Sequence, residues 1–221
     1  QVYNNSAQQD ASTEAVRETA GEVLKYKGNI VTTYYYSTSC GKTTTMKAWG
    51  TSENESNGYL QSVEVKDKKG DYEKSLPWYR WEADIDQDIL STLLAENVKK
   101  NIGTVQSLEV TKTGPGGVAL QIKAVGDKGS ITVDTENKIR KALGGNGYEI
   151  KKQDGTVAQS GTLLPSAFFK VKKAGNIFKI TGGGYGHGIG MSQNGANEMA
   201  KTGKNYQEIL QMFYPGTTIE K

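Results

Sequence analysis

Apolar and polar positions repeat along the chain with either the 3.6-residue spacing of helices or the two-residue spacing of strands. Helical spacing predicts four helices, at 14–19, 85–94, 136–143 and 196–200. Ser12 or Thr13 is expected to cap the first helix, and Asp86 and Asp88 to lie at the beginning of the second.

Runs rich in β-branched and aromatic residues predict strands. The predicted strands are 23–26, 30–36, 59–65, 105–111, 118–125, 130–133 and 177–180. The run 30–36 has this composition throughout, which predicts a central strand buried on both faces. Glycine-containing turns separate the three strands between 105 and 133, and this favours an antiparallel meander.

These elements predict a mixed α+β fold in one large domain or two small ones. The expected organisation is a core from residues 1–82 and 176–221, with a strand-rich lobe, 83–175, inserted between its halves. The strands at 30–36 and 177–181 are expected to be close neighbours, because both lead into loops of small residues.

Net charge, cysteine content and the length of the apolar runs limit the classes of function that the chain can have. The formal net charge is only +3, from 27 basic and 24 acidic residues, so clustered basic residues for nucleic acid are not expected. The one cysteine, Cys40, excludes an internal disulfide. No apolar run reaches the length of a membrane span and no signal peptide is visible, so any anchor is expected upstream of Gln1.

A glycine-dense segment near the C-terminus holds the candidate chemistry. Residues 180–193 contain six glycines and His187, the one histidine of the chain. Glycines between a strand and a helix let the backbone approach a ligand or another backbone closely. Tyr185, His187, Ser192 and Gln193 lie among them, which favours a site, and His187 titrates near neutrality. A second loop of small residues, 37–43, offers the hydroxyls of Ser37, Thr38 and Ser39.

These residues suggest several alternative kinds of site. Cys40 with His187 could form an activated thiol, although no third orienting residue lies nearby in sequence and Cys40 could equally be a small buried apolar residue. One cysteine and one histidine fall short of a zinc site, so no metal is expected. Gly41-Lys42-Thr43 lacks the spacing of a phosphate-binding loop, and the glycine segment lacks the acidic residue that follows in dinucleotide-binding folds.

The residues of the glycine segment resemble a known signature, that of the stage II sporulation protein D (SpoIID/LytB) family. The matching residues are Gly184 to Gln193, Gly195-Ala196, Ala200 to Gly203, Tyr206, Ile209-Leu210 and Tyr214 to Thr217. The resemblance extends to the start of the chain, through Gln1-Val2-Tyr3, Ala15-Val16, Thr19, Gly21, Val23-Leu24 and Tyr36 to Gly41. Trp49-Gly50, Tyr59 to Val63 and Leu164 to Phe169 also match. The resemblance is weakest in the middle lobe.

The resemblance implies a bacterial envelope protein that acts on peptidoglycan outside the cytoplasm, in sporulation, engulfment or wall remodelling. It implies a lytic transglycosylase that cleaves glycan strands, favouring strands without peptide stems, or a non-catalytic amidase enhancer. The expected partners are glycan strands and a cell-wall amidase, without nucleic acid or cofactor. From residue type, the expected substrate-binding residues are Ser37, Thr38, Ser39, Gly41, Trp49, Tyr185, His187, Gly188, Ser192 and Gln193.

The resemblance also implies where the general acid lies. The family's catalytic glutamate precedes the segment that matches Gln1-Val2-Tyr3, so the acid is expected upstream of Gln1. Among the acids of this chain, Glu53 is the least unsuitable substitute, although its polar loop would not hold a proton near neutral pH. Some members have histidine where Tyr36 stands, with further cysteines and histidines that hold zinc, and the single Cys40 and His187 argue against that metal here.

Overall fold

The computed structural model describes residues 7–221, in which five α-helices and fifteen strands form a mixed α+β fold, as predicted. The helices are α1 (Asp10–Glu18), α2 (Gln87–Val98), α3 (Glu136–Leu143), α4 (Gln193–Lys201) and α5 (Tyr206–Phe213). The strands are β1 (Val23–Tyr26), β2 (Asn29–Ile30), β3 (Tyr35–Tyr36), β4 (Lys66–Asp67), β5 (Gly70–Asp71), β6 (Trp81–Asp86), β7 (Val105–Thr113), β8 (Ala119–Gly126), β9 (Gly129–Asp134), β10 (Glu149–Lys152), β11 (Val157–Gln159), β12 (Phe169–Ala174), β13 (Ile177–Gly182), β14 (Met191–Ser192) and β15 (Thr218–Glu220). Short 3-10 turns cover Met46–Trp49, Pro77–Tyr79 and Pro115–Gly117. None of the described helices is long and apolar enough to cross a membrane.

A five-stranded antiparallel sheet, in the order β11-β10-β6-β13-β12, forms the centre of the fold. Buried and exposed residues alternate along its strands, as expected for a sheet with one covered face. Trp81, Ala83 and Ile85 of β6 point into the core, as do Phe178 and Ile180 of β13, whereas the residues between them are exposed. The opposite face therefore presents charged side chains to solvent.

The strands β7, β8 and β9 form the predicted antiparallel meander. The helices α2 and α3 pack against each other, and α3 also packs on β8 and β9. The predicted start of the second helix is wrong by two residues, because Ile85 ends the inward row of β6. Asp86 instead caps α2 by accepting from the amide of Asp88 at 2.8 Å.

The predicted central strand at 30–36 is wrong, because only its ends lie in strands. Two backbone carbonyls within residues 31–34 accept hydrogen bonds from tyrosine hydroxyls. The carbonyl of Thr32 accepts from the hydroxyl of Tyr59 at 2.8 Å, and that of Tyr34 accepts from the hydroxyl of Tyr214 at 2.7 Å. The predicted strand at 59–65 is also wrong, since the carbonyls of Gln61 and Val63 accept from Thr43.

The division into a core and an inserted lobe stays a prediction. Its boundaries fall within paired elements, since residue 82 lies inside β6 and residue 175 lies between β12 and β13. The buried apolar side chains of both proposed units also form one cluster. The first helix begins at Asp10 with Gln9 as its N-cap, so the predicted caps Ser12 and Thr13 lie inside it. The Gln1-Val2-Tyr3 segment lies outside the described residues.

Candidate functional site

Two loops of small residues meet at the predicted site. We call residues 37–41 the small-residue loop and residues 183–190 the signature loop. Thr38 and Tyr185 exchange two backbone hydrogen bonds, with N···O distances of 3.1 and 2.8 Å. The strand β3 leads into the first loop and pairs in parallel with β14, which follows the second. The two loops are therefore neighbours, but the strand that pairs with β3 is β14, and not β13 as the expected closeness of the strands at 30–36 and 177–181 would require.

Close backbone contact explains why the signature loop contains so many glycines. Gly190 has φ +75°, and a Cβ built at this position would lie 2.0 Å from the carbonyl oxygen of Tyr34. Only glycine combines this left-handed backbone with so little space. The predicted strand at 177–180 and helix at 196–200 are also confirmed as β13 and α4, which flank the loop.

A buried carboxylate that the sequence did not single out joins the two loops. Glu73 is fully buried, and its Oε1 accepts from the amide of Ser39 at 2.9 Å and from the hydroxyl of Ser192 at 2.7 Å. Its Oε2 is hydrogen-bonded to the hydroxyl of Ser39. Ser192 also caps α4 by accepting from the amide of Gly195 at 3.2 Å. We call Glu73, Ser39 and Ser192 the Glu73 network.

Burial and hydrogen bonding act in opposite directions on Glu73. Burial is the largest influence and raises the pKa of the carboxyl group, while the bonds from Ser39 and Ser192 oppose that rise. A raised pKa is a property of general acids, but the Glu73 side chain has no exposed surface on which to meet a substrate. Its position makes Glu73 a positioning residue that fixes the small-residue loop to the start of α4.

His187 is held as a neutral ring. Its Nδ1 accepts from the amide of Ile189 at 3.1 Å, so its Nε2 carries the proton and donates to the carbonyl of Tyr35 at 3.0 Å. Burial, the largest cause, lowers the pKa of His187 to about 4. With both nitrogens bonded to the backbone, the imidazole holds the loop in shape and has no free position for acid–base chemistry in this conformation.

The ring of His187 also forms one wall of a small cleft. Its centroid lies 5.1 Å from that of Trp49, and both residues face the first turns of α3 across a cavity of about 390 Å³. Glu136 and Arg140 of α3 form a buried ion pair there, with an N···O distance of 2.7 Å. Burial raises the pKa of Glu136 most, whereas the Arg140 guanidinium and the Trp49 indole lower it. Like Glu73, Glu136 is fully buried.

Tyr185 of the signature loop and the partly buried Trp78 form an aromatic pair. Tyr185 is 43% exposed, and its ring centroid lies 4.8 Å from that of Trp78. The amide of Gly184 donates to the carbonyl of Trp78 at 2.8 Å, so the loop backbone holds the two rings together. The ammonium of Lys152 lies 5.0 Å from the centroid of Trp78, which extends this surface toward a neighbouring groove.

That groove has a volume of about 670 Å³. Its floor includes Cys40 and the residues where β13 leads into the signature loop, and Phe168 and Trp81 supply apolar wall. Burial, the largest cause, raises the pKa of the Cys40 thiol, so the thiol is not activated as a nucleophile. Because both nitrogens of His187 are bonded elsewhere, the structure does not form the Cys40–His187 pair.

The predicted site residues fall into three groups by exposure. Tyr185 and Gln193 are exposed; Ser37, Trp49 and His187 are partly buried; and Thr38, Ser39, Gly41, Gly188 and Ser192 are buried. The structure joins Ser37, Thr38, Ser39 and Ser192 around Glu73, and it joins Trp49 to His187. No hydrogen bond or aromatic contact of the described residues joins Gln193 to the other predicted site residues. Their assignment as substrate-binding residues stays a prediction.

Sequence reasoning did not select Glu73, Trp78 or Arg80. Glu73 lies in a charged stretch, and its partners are 34 and 119 residues away, so no local pattern indicates its burial. Trp78 and Trp81 lie three positions apart, so the sequence shows an aromatic cluster but does not indicate that Trp78 belongs to the site. Glu53, the least unsuitable acid from sequence, is exposed in an ion pair with Lys47 at 3.2 Å. The hydrogen bond from Lys47 is the main cause that lowers the pKa of Glu53, which disfavours it as a proton donor.

Comparison with known proteins places these features in a family. The family described as "Domain of unknown function (DUF8618)" matches residues 42–190. The amidase enhancer of Bacillus subtilis (strain 168) is 28% identical, over 99% of this chain and 34% of the relative. Stage II sporulation protein D of the same organism is 31% identical, over 95% of this chain and 51% of the relative. Stage II sporulation protein D of Bacillus amyloliquefaciens is 29% identical over the same shares.

The chain thus spans about half, or about a third, of the length of these curated relatives. The alignments cover nearly all of this chain, including both loops of the site. The chain therefore belongs to the DUF8618 family, and the resemblance to the stage II sporulation protein D family is confirmed.

Proposed function

We propose that the protein binds peptidoglycan glycan strands at the surface formed by Tyr185, Trp78 and the adjoining groove. The observation that carries this proposal is the contact between exposed Tyr185, on the signature loop, and partly buried Trp78, whose ring centroids lie 4.8 Å apart. A sugar ring has apolar C–H faces and a polar edge, so it matches an aromatic ring placed beside hydrogen-bonding groups. Relatives named stage II sporulation protein D and amidase enhancer support a role at the cell wall.

For the whole protein, the proposed reaction is that of a lytic transglycosylase. A glutamic acid protonates the glycosidic oxygen as its bond to C1 breaks, a hydroxyl of the same sugar attacks C1, and the proton of that hydroxyl returns to the glutamate, which gives an anhydro end without water. The buried acids Glu73 and Glu136 have no surface with which to touch a sugar, and Glu53 has a lowered pKa. In the stage II sporulation protein D family the catalytic glutamate precedes the segment that matches Gln1-Val2-Tyr3. We therefore propose that the acid lies upstream of Gln1 and that this chain supplies the glycan-binding surface and its support.

Binding is tested with two matched tyrosine variants. Tyr185 and Tyr206 are 43% and 41% exposed, but only Tyr185 lies on the signature loop. Tyr185→Ala is expected to weaken binding of glycan strands by about tenfold, the effect of losing about 1.4 kcal/mol of stacking, with little change in melting temperature. Tyr206→Ala is expected to leave binding unchanged. Equal affinities in wild type and Tyr185→Ala would argue against this surface.

Cleavage is tested by comparing this chain with the same chain extended upstream. Each protein is incubated with purified glycan strands, and the products are analysed by mass spectrometry for anhydro-muramyl ends. The extended protein alone is expected to form them. Anhydro ends from the 221-residue chain would show that the acid lies within it, and Glu53→Gln would be the first variant to compare.

The second candidate function is stimulation of a cell-wall amidase, favoured by the relative named amidase enhancer. In this case the protein binds the strand and raises the rate at which an amidase removes peptides. Faster peptide release by a wall amidase in the presence of this protein, without anhydro ends from the extended protein, would support it. Both functions place the protein outside the cytoplasm in the cell envelope, which fractionation of cells carrying a tagged protein would test.

A further inference from the structure

The 670 Å³ groove beside the aromatic pair contains more positive charge than its own acids neutralise. Four cationic side chains line it, Arg80, Lys151, Lys152 and Lys170, and its one acidic lining residue is Glu82. Lys151 and Glu82 already form an ion pair at 3.3 Å. The remaining three cations form no ion pair within 4.0 Å with any carboxylate of residues 7–221.

Arg80 is held in place although it lacks a carboxylate. Its Nη1 donates to the carbonyls of Cys40 and Tyr79, at 3.0 and 2.7 Å, and its Nη2 donates to the hydroxyl of Tyr79 at 3.1 Å. The guanidinium also lies 3.9 Å from the centroid of the Tyr79 ring. These contacts fix the plane of the guanidinium and leave its remaining N–H donors for a ligand, which reduces the entropy lost on binding.

The sheet arranges the other charges around this anchor. Lys170, Thr181, Glu82 and Lys151 are opposite one another on β12, β13, β6 and β10, so they form a row on the open face of the sheet. Lys152 lies next to the row, over Trp78. Cations that form no salt bridge within 4.0 Å among the described residues therefore border the groove from β12 to β10, with apolar wall between them.

We propose that this groove binds a carboxylate carried by the wall polymer, with Arg80 as the anchoring donor and Lys152 and Lys170 as flanking cations. A planar guanidinium pairs with a carboxylate through two parallel hydrogen bonds, whereas a neutral sugar would not require three unpaired cations. The inference rests on the proposed function, because it names the chemical group that the glycan-binding surface recognises.

Carboxylates of this polymer come from two sources. Muramic acid carries one on its lactyl ether, and the attached peptide carries others while converting the lactyl carboxylate to an amide. Three probes separate these sources: a chitooligosaccharide, which has the same sugar backbone and no carboxylate; a glycan strand without peptides; and a glycan strand with peptides. Affinities are measured by calorimetry at low and high salt, since exposed ion pairs weaken as salt screens them.

We expect wild-type protein to bind at least one carboxylated strand about tenfold more tightly than the chitooligosaccharide at low salt, and the difference to shrink at high salt. The variant Lys152→Gln/Lys170→Gln is expected to lose about tenfold in affinity for the carboxylated strand only, since it removes two cations that border the groove and leaves the aromatic surface intact. Arg80→Lys, which keeps the charge but not the paired donors, is expected to lose affinity as well. The control Lys112→Gln/Lys123→Gln removes two exposed lysines outside the groove and should match wild type.

Equal affinity of wild type for all three probes, or equal loss in the groove and control variants, would overturn the carboxylate proposal while leaving glycan binding intact. Absence of binding to every probe would overturn both this proposal and the proposed function. A preference for the peptide-free strand would assign the carboxylate to the sugar, and a preference for the peptide-bearing strand would assign it to the peptide.

Discussion

Replacing Glu73 by alanine removes the acceptor that joins the two loops of the site. The hydroxyl of Ser39 then has no acceptor among the described residues, whereas the hydroxyl of Ser192 can turn to the carbonyl of Ser37, 3.3 Å away. A buried donor without a partner costs about 1–3 kcal/mol. A cavity of about 50 Å³ costs about 1 kcal/mol more. We therefore expect Glu73→Ala to lower the free energy of unfolding by about 3 kcal/mol.

Replacing Glu73 by glutamine keeps the shape of the side chain and removes its charge. Glu73→Gln keeps an oxygen that accepts from the amide of Ser39 and the hydroxyl of Ser192, and its new amide can donate to the hydroxyl of Ser39. It also removes the cost of burying a carboxylate. The expected loss at neutral pH is about 1 kcal/mol or less, well below that of Glu73→Ala.

The difference between wild type and Glu73→Gln should depend on pH in a defined direction. Burial raises the pKa of Glu73 above the unfolded value of about 4.3, so folding favours the protonated carboxyl group. The stability it contributes is present below pH 4.3 and is lost as pH rises through the folded pKa. The advantage of wild type over Glu73→Gln should therefore shrink from pH 4 to pH 7.5.

Urea unfolding followed by tryptophan fluorescence, at pH 4 and at pH 7.5, measures these differences. Glu53→Ala and Glu53→Gln are the controls, because Glu53 is an exposed acid whose removal should change stability by less than about 0.5 kcal/mol. If the advantage of wild type over Glu73→Gln grew with pH, the hydrogen bonds would outweigh burial and the inferred direction of the pKa shift would be wrong. Equal stabilities of Glu73→Ala and wild type would show that the Glu73 network does not stabilise the two loops.

Two further predictions concern the signature loop. Because the pKa of His187 is lowered to about 4 from about 6.5, folding favours the neutral ring, and stability should fall by at most about 3 kcal/mol as pH drops from 6.5 to 4. His187→Gln should lack that part of the pH dependence in urea unfolding; an unchanged profile would contradict it. Gly190→Ala should cost more than about 3 kcal/mol, through left-handed backbone strain and a clash with the carbonyl of Tyr34, whereas Gly203→Ala, with φ +92° and no atom within 4 Å, should cost only about 1 kcal/mol in thermal unfolding. Similar losses at both glycines would show that the backbone of the loop can move aside.

Local pattern was sufficient for the elements whose partners are near in sequence. The meander β7-β8-β9 follows from alternating strands separated by glycine turns, and α3 and α4 follow from helical spacing. The meeting of the two loops followed from the expectation that both lie at the ends of strands. In the meander and in the two helices, the residues that specify the structure lie near one another in the sequence.

The features that sequence reasoning missed depend on distant partners. Residues 31–34 have strong β propensity, yet their carbonyls are bonded to Tyr59 and Tyr214, so tertiary contacts override the local preference. Glu73 stands among lysines and aspartates that are largely exposed or partly buried, and only the fold brings it to Ser39 and Ser192. A single sequence contains no local signal that distinguishes it from a solvated acid.

The side chains of the two loops fall into two groups according to what they contact. Ser39, Ser192 and His187 direct their polar atoms to Glu73 or to the backbone, so they set the shape of the two loops. Tyr185, together with Trp78 and Arg80 from outside the signature loop, supplies surface that a ligand can touch. Substitutions in the first group should therefore lower stability and binding together, whereas those at Tyr185 should lower binding alone. The hydroxyl groups of Ser39 and Ser192 are thus internal supports, and the proposed glycan recognition depends on the aromatic and cationic side chains next to them.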